Sequence, residues 1–407
     1  MTQTAPTADH QLISDFLALK PEALQQGHEA ILKIRETGSV SFLPQLNMYA
    51  VTGYKAVCDV ARRTTEFSSR YVSGFRPEDE REYALLSADG KAHARQKGLV
   101  SRAFAPTIVK SREPIIRDLV DLAIDQFIDN GRFELVGDFA LRFPVYTIAA
   151  YLGIPDKDKE QFVHWAFQHI APIGNPMMSD EDKLIYEKAM ADFTAYFDDV
   201  IAYRRKNPGE DIISIMLAKS DDGSVPLTNG ELHTILGQLL TGGVETSIKL
   251  ITSAFEYLLA NPEQMAKVSA DHMLIPNMLE ETLRIKAPVH GMFRYTVVDA
   301  ELDGVMIPKD SMVWLVFSSG GRDEEKFECP HAYDVERANA SDHLAFGYGV
   351  HRCVGFGLAK LQVQIAFEQL LSRLKNIHLA PENDFAPFPS FVIQGVNALY
   401  IEFDKAD

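Results

Sequence analysis

Cysteine is scarce in this 407-residue chain. Cys58, Cys329 and Cys353 are too few for a disulfide framework, as expected of a protein kept in a reducing cytoplasm. Long apolar runs are missing too. Nothing approaches the ~20 consecutive apolar residues that span a bilayer, and the opening MTQTAPTADHQLISDFLALK lacks the charged-then-apolar order of a secretion signal. Positive charge is in deficit: 40 Lys and Arg against 57 Asp and Glu leave a formal charge of -17, which argues against a broad nucleic-acid footprint. Internal repeats, low-complexity tracts and flexible linkers are absent, so residues 1–407 read as one domain. These absences leave a cytoplasmic protein that engages neither nucleic acid nor membrane. The 46% of hydrophobic residues supply a sizeable core and exclude general disorder.

What is present is mostly helical periodicity. Val40 to Gly53 reads as a short hairpin turning at Pro44 to Asn47. Pro106 to Phe127 carries an apolar stripe through Ile108, Ile115, Ile116, Leu119, Leu122 and Ile124 and reads as one helix. Asp156 to Arg205 reads as two helices broken near APIGNPMM. Thr228 and Glu231 form a capping box that opens a long helix, ended by Asn261-Pro262. At ~1.5 Å per residue it runs roughly 48 Å, enough to cross a domain. PNMLEETLRI reads as a further helix. Phe293 to Phe317 gives short strands punctuated by Asp303-Gly304 and Pro308-Lys309-Asp310, and an amphipathic helix follows Cys353 to about Leu374. The expected fold class is mainly α with minor β-sheets.

One stretch is unusual: HLAFGYGVHRCVGFGLAKLQ, His343 to Gln362, sets Cys353 among Gly347, Gly349, Gly355 and Gly357. Glycines at this density mark backbone that must bend or approach something closely. Cys353 as a buried structural thiol is the common case. A zinc site could recruit His343, His351 and Cys353 but lacks a fourth ligand, and a catalytic thiol lacks an identifiable base. A haem thiolate is the remaining reading. Glycines let the loop press against a flat macrocycle, and a helix beginning just after the cysteine aims its positive end at the sulfur.

Phe346 to Gly355 resembles the haem-binding signature of the cytochrome P450 family, F-x-x-G-x-[HR]-x-C-x-G, at every fixed position. Other family landmarks follow in order from His93 to the last helix, so the resemblance covers nearly the whole chain. It implies the triangular cytochrome P450 fold, haem b with Cys353 as axial thiolate and iron ligand, and Gly347 and Gly349 against the cofactor. Gly242-Gly243-Val244-Glu245-Thr246 resembles the family's [AG]-G-x-[DE]-T segment. On that resemblance Gly242 and Gly243 leave room for dioxygen, Thr246 hydrogen-bonds the distal oxygen, and Glu245 relays protons. Glu245 also stands four residues before Lys249, the favourable orientation for a helix ion pair.

Haem propionates need cationic donors. By resemblance these are His351, Arg294, His93 and Lys97, the last where the family commonly has Arg. Glu281 and Arg284 match the family's E-x-x-R pair, but its third member falls on Ala332, leaving Arg337 or His331 to compensate. Gln238, Thr241, Gly242, Val289, Met292 and Phe293 are expected to line the substrate pocket, closed by Arg70 to Leu86 and by Phe388 to Gly395. Polar Gln238 and Thr241 suggest a small, mostly apolar substrate with one polar handle.

No flavin or ferredoxin module is read in the sequence, so the expected partners are an iron–sulfur ferredoxin, or a flavodoxin, with its reductase. Arg352, Lys360, Arg102, Lys110 and Arg112 are candidates for a local basic docking patch. The implied activity is a monooxygenase that hydroxylates, O-demethylates or epoxidises. The alternatives are a peroxide-driven peroxygenase on the same fold and a non-catalytic haem protein that binds ligands.

Overall fold

The computed structural model describes residues 8–70, 83–170, 178–218 and 225–406. Most of the loop Arg70 to Leu86 and of the APIGNPMM break lies outside the described residues. The long helix runs Asn229–Ala260 and carries the expected capping box: Thr228 accepts from the Glu231 amide while the Glu231 side chain accepts from the Thr228 amide. Most of its residues are buried. It packs against helices Arg142–Leu152, Lys159–Ile170, Ile275–Ile285 and Phe356–Arg373, so it runs through the main core rather than over it.

The strands are β1 (Val40–Leu43), β2 (Met48–Val51), β3 (Phe67–Ser68), β4 (Arg132–Glu134), β5 (Met292–Thr296), β6 (Ala300–Leu302), β7 (Val305–Ile307), β8 (Met312–Leu315), β9 (Leu374–Leu379) and β10 (Tyr400–Lys405). They form a sheet β1-β2-β8-β5-β3, a sheet β4-β10-β9 and the hairpin β6-β7. The predicted hairpin is the β1–β2 pair, Val40 opposite Val51. In the larger sheet β5 pairs antiparallel with β8, Arg294 opposite Val313, which fixes the height at which Arg294 enters the interior.

The stripe from Pro106 to Phe127 is two helices, Pro106–Ser111 and Glu113–Asp125. Pro114 lacks an amide proton and its ring excludes the preceding helical carbonyl, so it is tolerated only in a first turn. Ile116, Leu119 and Ile124 are buried, whereas Ile115 and Leu122 face solvent. The apolar stretch Leu135–Leu152 is mostly buried, so its hydrophobicity serves packing.

Glu281 and Arg284 pair at 2.6 and 2.7 Å with both side chains fully buried. Arg284 also donates to the carbonyls of Gly321, Pro330 and Ala332. Ala332 thus contributes backbone only. Arg337 supplies the missing member, its Nε 3.0 Å from Glu281 Oε1, while His331 meets Arg322 instead. Gly321 is required here, since a Cβ would lie 2.0 Å from the Arg284 carbonyl.

Candidate active site

The cysteine loop is built by local hydrogen bonds. The Gly347 amide donates to Leu344 O at 2.8 Å, the Arg352 amide to Gly349 O at 3.1 Å and the Cys353 amide to Phe346 O at 2.8 Å. Gly347 and Gly349 take φ of +70° and +69°, a region costly for side-chain-bearing residues. The two have different surroundings. Gly347 lines the cavity in front of Cys353, but Gly349 does not. A Cβ on Gly349 would sit 2.7 Å from the Ala61 carbonyl, so this glycine was demanded by the neighbouring helix Tyr54–Arg62, not by the cavity.

Cys353 presents its surface to that cavity while protein encloses it on the other sides. Burial pushes the thiol up. The Gly355 amide, the charges of Lys97 and Arg352, and the Phe356 amide pull it the other way. Those amides belong to the cap and first residue of helix Phe356–Arg373. Among the described residues no group of three or more His, Cys, Asp or Glu side chains could hold a metal ion. His343, weighed for zinc, pairs with Glu280 at 2.9 Å.

Across the cavity lies the middle of the long helix. Gly242, Gly243 and Thr246 line it, and Gly242 is exposed in an otherwise buried segment. A Cβ there would meet nothing within 4 Å. The Thr246 hydroxyl donates to Gly242 O at 2.6 Å. Of the two readings of Glu245, proton relay and helix ion pair with Lys249, the structure shows the ion pair, and Glu245 is not among the residues lining the cavity. Its carboxylate stands 3.1 Å from the Lys249 ammonium, both side chains under a tenth exposed. Lys249 also donates to Val396 O at 2.8 Å and lies over the Phe388 ring. A carboxylate this deep needs a counter-ion, and Lys249 provides it on the side away from the cavity.

At one edge the cavity wall is basic, with two cations and two imidazoles. His93, Lys97, Arg294 and His351 all line it. Arg294 is 4% exposed; its Nη1 donates to Phe293 O at 2.7 Å, and among the described residues no carboxylate lies within ion-pair distance. Burial lowers its pKa to about 10, with Asp89 acting the other way. The rings of His93 and His351 stack with centroids 4.0 Å apart, and burial first, then neighbouring cations, hold them down at about 4 and about 2. Lys97 lines the cavity too, and its ammonium donates to the carbonyls of Val350 and Arg352, tying helix Gly90–Ala103 to the cysteine loop. A single ammonium without Arg's fork is satisfied by two carbonyls.

The pocket residues divide. Gln238, Gly242, Val289 and Met292 line the cavity; Thr241 and Phe293 do not. Thr241 donates to Gly237 O in its own helix, and Phe293 packs with Trp314 and Phe391 in a separate apolar cluster. Phe388 to Gly395 also stays off the wall. It is bound to Pro288 and His290 by backbone hydrogen bonds. The sequence reading missed Ser247 and Gln362, which line the cavity and join the long helix to the cysteine helix by a 2.6 Å hydrogen bond. Helix rotation alone brings them together, and neither carries a sequence signal. In the proposed docking patch Lys110 pairs with Glu113 and Lys360 with Glu280, leaving Arg102, Arg112 and Arg352 as its cations without a carboxylate partner among the described residues.

A thiol on one wall, an open helix groove opposite and, at the edge, a buried guanidinium with no carboxylate within ion-pair distance among the described residues fit a flat, anionic, metal-bearing cofactor. Residues 160–399 match the family model for Cytochrome P450. The chain is 33% identical over 301 residues to cytochrome P450 107B1 of Saccharopolyspora erythraea, spanning 74% of this chain and 72% of that one. The structure of CYP109Q5 from Chondromyces apiculatus superimposes with a TM-score of 0.87 at 31% identity, covering 95% of this chain and 98% of that one. CYP109E1 from Bacillus megaterium, in complex with corticosterone, gives 0.85 at 27% identity, covering 94% and 99%. The chain belongs to the cytochrome P450 family and is a monooxygenase-class oxidoreductase. The family implies a haem–thiolate cofactor.

Proposed function

We propose that this protein holds haem b through Cys353 and inserts one oxygen atom from dioxygen into a small, apolar organic molecule. The observation carrying this reading is Cys353 facing Gly242 and Thr246 across a cavity whose edge holds the Arg294 guanidinium, with no carboxylate partner among the described residues. Arg294, His93 and His351 would receive the propionates, and an anion there relieves the buried cation. A haem held there would supply the activation of dioxygen that makes one oxygen atom available to the substrate.

The chain's own residues do the rest. The amides of Gly355 and Phe356 stabilise negative charge on Cys353 Sγ. The open face at Gly242 gives dioxygen its room, and the Thr246 hydroxyl, now directed to Gly242 O, is placed to turn and donate a proton there. Glu245, held by Lys249, can serve that hydroxyl only from behind the cavity wall. Leu85, Leu86, Leu239, Val289 and Met292 exclude water from the substrate side. With Thr241 off the wall and the Gln238 amide bonded to backbone, the polar handle first expected of the substrate loses its partner. Electrons would come from a separate ferredoxin or flavodoxin with its reductase, docking near Arg102, Arg112 and Arg352.

The test is spectroscopic and isotopic. The reduced, carbon monoxide-bound protein should show the red-shifted thiolate band, and Cys353→Ser should lose it. With a surrogate ferredoxin–reductase pair and labelled dioxygen, the product should carry one labelled atom. Label arriving from water instead would sink monooxygenation.

A further inference from the structure

Gln238 is polar on an apolar wall, and both ends of its amide bond main chain. Its Oε1 accepts from the Leu86 amide at 3.2 Å, and its Nε2 donates to Ala84 O at 3.0 Å. The side chain thus bonds residues 84 and 86 much as a neighbouring strand would. A second glutamine does the same from the opposite side. Gln96 Oε1 accepts from the Leu85 amide at 2.8 Å, and its Nε2 donates to Tyr83 O at 3.4 Å and to Glu231 Oε1 at 2.8 Å. Glu231 is the capping-box residue of the long helix and also receives Arg95. Seven residues separate Glu231 from Gln238, so both sit on one face of that helix.

Among the described residues, the segment so held belongs to no strand or longer helix. It is a single 3-10 turn, Leu85–Ser87, in which Leu85 takes φ of +45°, a conformation costly for a branched side chain and kept only when surroundings impose it. Leu85 and Leu86 both line the cavity, as does Gln238 itself.

We propose that Gln238 is a positioning residue that determines specificity: with Gln96 it fixes the turn 84–86 so that Leu85 and Leu86 present a rigid apolar roof to the substrate. It does not hydrogen-bond the substrate. The inference rests on reading the cavity as the substrate chamber, and it narrows the substrate at this point to a purely hydrocarbon portion.

The experiment is hydrogen–deuterium exchange on haem-loaded wild type, Gln238→Leu and Gln238→Glu, followed by spin-state titration and product analysis. Losing hydrogen bonds to two backbone groups should speed exchange across residues 84–87 by about tenfold or more in Gln238→Leu. Gln238→Glu keeps an acceptor for the Leu86 amide and should fall between, and it carries the test if the leucine variant loads no haem. Exchange within helix Gly90–Ala103 should not move. Binding of saturated hydrocarbon ligands should weaken and the product distribution should broaden in step with exchange. Unchanged exchange would overturn the proposal. So would a loss of affinity confined to ligands bearing a hydroxyl or carbonyl, which would make Gln238 a direct contact. Exchange is read without turnover, so a failure of monooxygenation leaves it interpretable.

Discussion

Replacing Lys249 by Met removes an ammonium from a buried pair while keeping most of the stem's volume. Three interactions go at once: the 3.1 Å contact with Glu245, the 2.8 Å bond to Val396 O and the cation over the Phe388 ring. Removing one member of a buried ion pair costs about 3–5 kcal/mol, because the other charge is left uncompensated. The backbone bond adds about 1 kcal/mol, and the ring contact about 0.5–2 kcal/mol. Burial already lowers the Lys249 pKa, with Glu245 working against it, so desolvation is large and only part of the sum reaches the net value. We expect Lys249→Met to destabilise the protein by about 3–5 kcal/mol. Glu245→Gln together with Lys249→Met should recover much of this, since replacing both members of a buried pair is often nearly neutral. The assay is urea unfolding of the haem-loaded protein, followed in parallel by Soret absorbance and circular dichroism, on all four corners of the double-mutant cycle. The losses at Val396 and Phe388 occur in both arms and cancel. A coupling energy of about 2–3 kcal/mol is expected for the pair. A value below about 0.5 kcal/mol, the additivity limit for independent sites, would refute the pair as the reason Glu245 is turned from the cavity.

Two further outcomes are expected. Thr246→Ala should divert reducing equivalents to peroxide, measured as product formed per equivalent consumed; coupling at the wild-type level would remove Thr246 from proton delivery. Stability should also fall in mild acid. Burial holds His290 down at about 3 from an ordinary 6.5, and burial lowers His169 as well. In the unfolded chain these imidazoles take up protons near 6.5, so between there and their folded values the unfolded state binds more protons. Their contribution is complete above 6.5 and is lost as pH falls through that window. Thermal midpoints that stay flat between pH 7 and 5 would contradict this.

Local sequence made the frame legible. A capping box and Asn-Pro bound the long helix at both ends because caps and prolines act within a few residues of themselves. The density of glycine around Cys353 announced a loop shaped for close approach, and β1–β2, Met292–Thr296 and Met312–Leu315 followed from alternation and turn residues. The single helix read across Pro114 failed because periodicity survived a break that one missing amide enforced. Helices Tyr54–Arg62, Gly90–Ala103 and Arg142–Leu152 went unread as elements, although His93 and Lys97 within the second were singled out for their chemistry.

By itself, then, the sequence determined the helical class, the long central helix, the cysteine loop and the residue types able to seat a thiolate-bound anionic cofactor. The tertiary structure alone decided where each side chain faces. It gave the Gln238 amide to the backbone of residues 84 and 86, directed Lys97 to two carbonyls, and made Arg337 the partner that Ala332 could not be. A residue's type fixes what it can bond, but a buried polar group bonds whatever packing sets within about 3 Å, and that neighbour comes from chain far away in sequence.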